Sequence, residues 1–201
     1  MARQPPDIPA LLRLLNEHGV LYVVTGSAAA KLHGIELAPG DLDVTPALDR
    51  ENLERLAAAL RAIHARQAPD GPFGDWQIQP DGEQKWVQRE PTPEDVTARA
   101  AWQPDPSDPA SFDHLLESDL GAIDVVPEVS GTYEDLSPRA VELDAFGERV
   151  WVESIADLLA TITIPRREKD SDRVGRLREL QRQAMVSSTI GRGRGGSSAS
   201  S

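Results

Sequence analysis

Three aspartates have the side chains and the spacing needed to hold a divalent cation. Asp41 and Asp43 stand two residues apart in the segment DLDVT, whose alternation is typical of a β-strand. Side chains two apart on a strand project from the same face, about 7 Å apart along it. Two carboxylates 4 Å apart repel by about 4 kcal/mol at an effective dielectric constant near 20, and a bridging cation reverses that cost.

Asp124 supplies the third carboxylate. It lies in AIDVV, inside a second predicted strand that is otherwise apolar, where a charge without a counter-ion is costly. We therefore predict that Asp41, Asp43 and Asp124 are catalytic residues and bind Mg²⁺ or Mn²⁺. The pair taken alone leaves another interpretation open, in which Asp41 caps a turn and Asp43 is a solvated strand residue.

Gly26 and Ser27 lie where a phosphate group could bind. They follow a predicted buried strand from Val20 to Thr25 and open an alanine-rich helix that ends near Gly34. Backbone N–H groups and a hydroxyl at such a turn favour an anion, although a turn glycine and an N-cap serine also have ordinary structural roles. With the aspartates, this turn predicts a nucleoside triphosphate substrate and transfer of its nucleotidyl group.

The elements around these residues predict an α/β (α+β) fold, with a small mixed, twisted sheet, flanking helices and a C-terminal helical pair. Asp7 is expected to cap a first helix, and Asp49 a later helix that follows the Asp41–Asp43 strand. Further along, the pattern predicts strands at 111–117 and 121–126, a hairpin of 141–144 with 150–152, a helix at 154–162 and a last helix from about residue 170.

The chain divides by composition into three parts. Residues 1–165 form the predicted core, 166–186 a C-terminal helix and 187–201 a flexible basic tail. Within the core, residues 69–110 contain 8 of the 16 prolines and few periodic apolar residues. We expect this segment to be an irregular insertion, part of which packs through Trp76, Trp86 or Trp102.

Composition excludes several classes of protein. The chain has no cysteine, which excludes disulfides and thiolate zinc sites, and it has no apolar run long enough to cross a membrane. Without a recognisable signal peptide, we expect a cytoplasmic protein with no membrane partner. The net charge is −12, divided between −17 for residues 1–165 (12 Lys+Arg, 29 Asp+Glu) and +5 for residues 166–201 (9 Lys+Arg, 4 Asp+Glu). Such an acidic body argues against general coating of nucleic acid.

The motif of Gly26-Ser27, thirteen residues and then Asp41-Leu42-Asp43, with Asp124 on a later strand, resembles the minimal signature of the DNA-polymerase-beta-like nucleotidyltransferases. Residues 20–43 and 154–180 further resemble the opening segment and the closing helix pair of AbiEii-type toxins, which belong to abortive-infection, type IV toxin–antitoxin systems.

This resemblance implies more about the site and its partners. Arg167 and Lys169, with Asp170, match a basic group of that family and are implied to bind nucleotide, whereas Ile162 stands where the family commonly has a lysine. The resemblance also implies NTP as substrate, tRNA or a protein as acceptor, and a cognate antitoxin.

Two other functions remain open. A nucleotidyltransferase acting on a small molecule, similar to the enzymes that adenylylate aminoglycosides, is favoured by the acidic body. A degenerate protein that binds nucleotide without turnover is favoured by Ile162.

Overall fold

The computed structural model describes residues 4–69, 73–80, 84–128, 130–161 and 174–182 of the chain. The helices are α1 (Ile8–Glu17), α2 (Gly26–Leu32), α3 (Arg50–Ala62), α4 (Pro93–Ala100), α5 (Tyr133–Leu136) and α6 (Ile155–Thr161), with a 3-10 helix at Pro109–Phe112. The strands are β1 (Tyr22–Val24), β2 (Leu42–Pro46), β3 (Arg66–Gln67), β4 (Phe73–Ile78), β5 (Gln84–Arg89), β6 (Leu115–Ser118), β7 (Gly121–Val125), β8 (Val141–Ala145) and β9 (Glu148–Val152). Residues 174–182 are also helical.

Seven strands form one mixed sheet in the order β3-β6-β7-β2-β1-β9-β8. The β2–β7 and β1–β9 pairs are parallel, and the other pairs are antiparallel. Strands β4 and β5 form a separate antiparallel hairpin. The predicted α/β class with a mixed sheet is therefore confirmed, and so is the predicted hairpin of β8 with β9.

Each of the central strands β2 and β7 has one aspartate between buried apolar residues. Leu42 and Val44 of β2 are fully buried, as is Ile123 of β7, whereas Asp43 and Asp124 are only partly buried. Because successive side chains of a strand point to opposite faces, the apolar residues fill the core and the aspartates lie on the other face. The predicted orientation of Leu42 and Val44 is confirmed.

Helices α1 and α3 contribute to the core, and both begin at predicted caps. Asp7 accepts a hydrogen bond from the N–H of Ala10 (3.1 Å), and Asp49 accepts one from the N–H of Asn52 (3.0 Å). Their buried residues recur at helical spacing, as the sequence predicts. They are Ile8, Leu11, Leu12 and Leu15 of α1 and Leu53, Leu56 and Leu60 of α3.

Asn52 fixes α3 to the segments that flank β1 and β2. It is fully buried, and its amide nitrogen donates to the carbonyls of Leu21 (2.9 Å) and Ala47 (2.8 Å). Its Oδ1 accepts from the N–H of Leu21 (2.7 Å). One side chain thus pairs three backbone groups beside the strand that contains Asp43.

The expectation of an irregular structure for residues 69–110 is wrong for the described part, which contains the β4–β5 hairpin and helix α4. Prolines are compatible with this structure because Pro93 occupies the first turn of α4, where no backbone N–H is required. Thr92 and Asp95 form a capping box that fixes the start of the helix.

Trp102 attaches the end of this segment to the core. It is 9% exposed, and its Nε1–H donates to the carbonyl of Ser111 (2.8 Å). Its ring meets the His114 ring edge to face, with centroids 6.1 Å apart. Packing by Trp102 agrees with the prediction. The strand predicted at 111–117 begins only at Leu115, because a 3-10 helix capped by Asp108 precedes it.

The C-terminal part is described only in pieces. Helix α6 agrees with the predicted helix, and helical residues 174–182 bury Val174 and Leu177. The start of the last helix and the tail at 187–201 lie outside the described residues. Among the described helices, none combines the length and the apolar character needed to cross a membrane.

Candidate metal centre and the adjoining cleft

The structure brings the three predicted metal ligands together. Asp43 of β2 and Asp124 of β7 are direct partners in the parallel register, and Asp41 immediately precedes β2. One carboxylate oxygen from each lies within 4.8 Å of the others, and all three side chains are partly buried. Residues 81 positions apart in sequence thus form one cluster because their strands are adjacent.

The donor set fits a hard divalent cation. Carboxylate oxygens are the ligands that Mg²⁺ and Mn²⁺ prefer. An octahedral Mg²⁺ ion with bonds of about 2.1 Å places opposite ligands about 4.2 Å apart. Adjacent ligands of such an ion lie about 3.0 Å apart, and at most one pair among three ligands is opposite, so the oxygens within 4.8 Å of one another reach these distances by side-chain rotation.

Gly26 lies directly against the cluster of aspartates. Its φ of +62° belongs to the left-handed region, and a Cβ at this position would lie 2.5 Å from Oδ2 of Asp43 and 2.9 Å from its Cγ. A side chain here would displace the carboxylate. Glycine is therefore required by both backbone conformation and proximity to Asp43, a second reason that the sequence motif did not reveal.

Gly26 and Ser27 occupy the first turn of α2, beside Asp43. The N-cap is Thr25, so the alternative role of Ser27 as an N-cap is wrong. The N–H of Gly26 donates to Oε2 of Glu153 (3.2 Å). Contact of a phosphate with Gly26 and Ser27 stays a prediction.

Glu153 is a site residue that the sequence analysis missed. It follows β9, is 1% exposed, and receives hydrogen bonds from Gly26, from the Thr161 hydroxyl (3.5 Å) and from the Ser130 side chain. Burial raises the pKa of its carboxyl, although the Gly26 hydrogen bond opposes that shift. Its carbonyl oxygen lies 2.8 Å from Nε2 of His33. A carboxylate at the end of an apolar strand was the available signal.

A cleft of about 820 Å³ opens beside Asp124. We call it the insertion cleft, because the hairpin β4–β5 and helix α4 form much of its wall. Its lining includes Phe73 and Arg89 of the hairpin, Ala98 and Arg99 of α4, and His114 and Asp124 of the main sheet region. The segment expected to be irregular therefore forms one side of the candidate site.

Both arginines of the cleft are engaged within the protein. Arg89 donates two hydrogen bonds to Asp95 (2.5 and 3.0 Å), and these hold the pKa of the Asp95 carboxyl well below its usual range. The Arg99 guanidinium lies 3.5 Å above the centroid of the Phe73 ring and donates to the carbonyls of Ala68 and Pro69 (3.2 Å each).

His114 completes the polar lining. It is partly buried, and this burial lowers the pKa of its imidazole, with Asp113 opposing the shift. The ring is therefore predominantly neutral at pH 7 and offers one hydrogen-bond donor and one acceptor.

The remaining predicted site residues, Arg167 and Lys169, lie outside the described residues, as does Ile162. Their predicted roles stay predictions. Comparison with known proteins gives no family for the chain: no protein-family model matches it, and no curated protein matches it significantly.

Proposed function

We propose that this protein is a metal-dependent nucleotidyltransferase that transfers NMP from an NTP to an acceptor hydroxyl. The observation that carries the proposal is the convergence of Asp41, Asp43 and Asp124 beside the Gly26–Ser27 turn. This arrangement combines a cation site with a turn that can receive a phosphate, as transfer of a nucleotidyl group requires.

Each residue has a distinct task in this proposal. Asp41, Asp43 and Asp124 hold Mg²⁺ or Mn²⁺, which neutralises the charge of the triphosphate and of the departing pyrophosphate when bound. Ser27 orients the phosphates with its hydroxyl and backbone N–H, and Arg167 and Lys169 add positive charge. The acceptor oxygen bonds to the α-phosphorus, the bond from that phosphorus to the bridging oxygen breaks, and Asp124 takes the proton of the hydroxyl.

Resemblance to AbiEii-type toxins supports a narrower version of the proposal. In that version the protein is the toxin of a toxin–antitoxin pair, its acceptor is tRNA or a protein, and a cognate antitoxin restrains it. The support comes from residues 20–43 and 154–180.

The test uses the full chain incubated with each α-³²P-labelled NTP, Mg²⁺ and total RNA or protein. Asp41→Asn removes a metal ligand, and Asp144→Asn makes the same chemical change on the exposed strand β8 at the far edge of the sheet. Label transfer by the wild type and Asp144→Asn proteins, lost in Asp41→Asn, supports the proposal. Equal transfer by all three proteins would refute the metal assignment. Nucleotide binding with no release of pyrophosphate would instead indicate the degenerate, non-catalytic function.

Transfer to a small molecule is the second candidate function. The observation that favours it is the insertion cleft beside Asp124, whose arginines are engaged with protein groups.

A further inference from the structure

The order of strands places the insertion cleft and the Gly26–Ser27 turn on opposite sides of the aspartate cluster. Reading across the sheet, β1 leads into Gly26, β2 contains Asp43, β7 contains Asp124 and β6 borders the cleft. Leu115 of β6 is the register partner of Asp124, so both side chains lie on the cleft face. A nucleotide bound at Gly26 and a molecule bound in the cleft would therefore approach the metal centre from opposite sides. In-line displacement requires the attacking and departing oxygens to lie on opposite sides of the phosphorus, and this arrangement is compatible with it.

The size of the cleft suits a compact molecule. Small-molecule sites commonly have volumes of about 300–1,000 Å³, and the insertion cleft has about 820 Å³. Its lining is mixed, since Phe73 and Leu115 contribute apolar surface while Gln67, Asp113 and His114 contribute polar groups. Polar groups of this kind bind hydroxyl and amino groups.

The charges and aromatic rings of the cleft disfavour an RNA acceptor. RNA is usually bound by arginines that reach phosphates and by aromatic faces on which bases stack. Here Arg89 pairs with Asp95, Arg99 covers the Phe73 ring, and Trp102 meets His114. The lining that the structure describes contains two arginines and three carboxyl groups (Asp95, Asp113 and Asp124), so the cleft has no excess of basic groups to attract a polyanion.

From these observations we infer that the insertion cleft is the acceptor site, and that its acceptor is a compact hydroxyl-bearing molecule that is neutral or positively charged. This inference rests on the proposed nucleotidyltransferase function. The acceptor's oxygen forms the new bond to the α-phosphorus, pyrophosphate leaves with the electron pair of the broken bond, and the hydroxyl proton passes to Asp124.

Two alanines of helix α4 provide matched test variants. Both are exposed, but Ala98 borders the cleft whereas Ala100, on the same helix, does not. Ala98→Phe fills the cleft without changing the metal centre, and Ala100→Phe adds the same bulk to solvent. Binding of Mn²⁺, followed by its electron paramagnetic resonance, should be equal in both variants and the wild type.

The experiment supplies the full-length proteins with α-³²P-labelled NTP and Mg²⁺. The acceptors are kanamycin, a low-molecular-weight bacterial extract freed of protein and RNA, and, in separate reactions, total tRNA and the protein fraction of the same extract. We expect the wild type and Ala100→Phe proteins to label a small molecule, and Ala98→Phe to do so at least tenfold more slowly.

Other outcomes separate the two proposals. Label in tRNA or protein alone, whether or not Ala98→Phe reduces it, would leave nucleotidyl transfer intact and overturn the small-molecule acceptor. Small-molecule labelling that Ala98→Phe does not slow would overturn the cleft as its binding site. No label and no pyrophosphate release from any mixture would refute the proposed function and the inference together.

Discussion

Replacement of Gly26 by alanine tests whether the Gly26–Ser27 turn fixes the position of the Asp43 carboxylate in the candidate metal centre. The new Cβ would lie 2.5 Å from Oδ2 of Asp43, whereas van der Waals contact needs about 3.5 Å, so the carboxylate must move by about 1 Å. The φ of +62° adds about 1–2 kcal/mol of backbone strain for a residue other than glycine. We therefore expect Gly26→Ala to lower both stability and metal affinity.

The expected loss of metal affinity is about 10- to 100-fold, as is typical when a group that orients a ligand is disturbed. This corresponds to about 1.4–2.7 kcal/mol of binding free energy. Titration with Mn²⁺ under electron paramagnetic resonance measures the affinity, and chemical denaturation measures the free energy of unfolding. Nucleotidyl transfer should fall together with Mn²⁺ affinity.

Gly147→Ala is the matched control. Gly147 also has a positive φ, +82°, but a Cβ there would meet nothing within 4 Å. This variant should lose stability through strain while its Mn²⁺ affinity stays that of the wild type. If Gly26→Ala and Gly147→Ala bind Mn²⁺ equally well, the reasoning that joins Gly26 to Asp43 is wrong.

Three further predictions concern single side chains. Asp124→Asn should abolish high-affinity Mn²⁺ binding, because it removes one of the three carboxylates of the cluster; Mn²⁺ titration under electron paramagnetic resonance measures the affinity, and an affinity equal to that of the wild type would contradict it. Because the pKa of Glu153 is raised in the folded state, its contribution to stability is fully present below the ordinary value of 4.5 and is lost as pH rises through the folded-state pKa. The free energy of unfolding of the wild type, measured against pH, should show this loss. The same loss in Glu153→Gln would refute the assignment. Asn52→Ala should reduce the free energy of unfolding by about 3 kcal/mol, because three backbone groups lose their hydrogen-bond partner at about 1 kcal/mol each. A change below about 1 kcal/mol in urea denaturation would contradict this.

The cluster of aspartates was predictable because its signals are local and its assembly follows a simple rule. Asp43 and Asp124 each interrupt an apolar strand, and two such strands in a small sheet place their polar faces together when they pair. The helices α1 and α3 were equally readable from their caps and apolar spacing.

The insertion was not predicted because its proline content was given more weight than its local patterns. The capping box of Thr92 with Asp95 was a readable helix start, and Pro93 directly after the cap was consistent with it. Glu153 was missed for another reason. Its role depends on contacts with Gly26 and Thr161, and no local pattern reports a contact between residues 127 positions apart.

Buried residues hold the insertion at both ends, with Ala68 before the β4–β5 hairpin and Trp102 after α4. The entropy of closing a loop grows slowly with length, by about 0.6 kcal/mol for each doubling. Changes in the length of the segment between these anchors therefore change the entropy of closing it only slightly. If the cleft is the acceptor site, as we propose, its wall can change, and with it the range of acceptors, while the aspartates on the central strands stay in place.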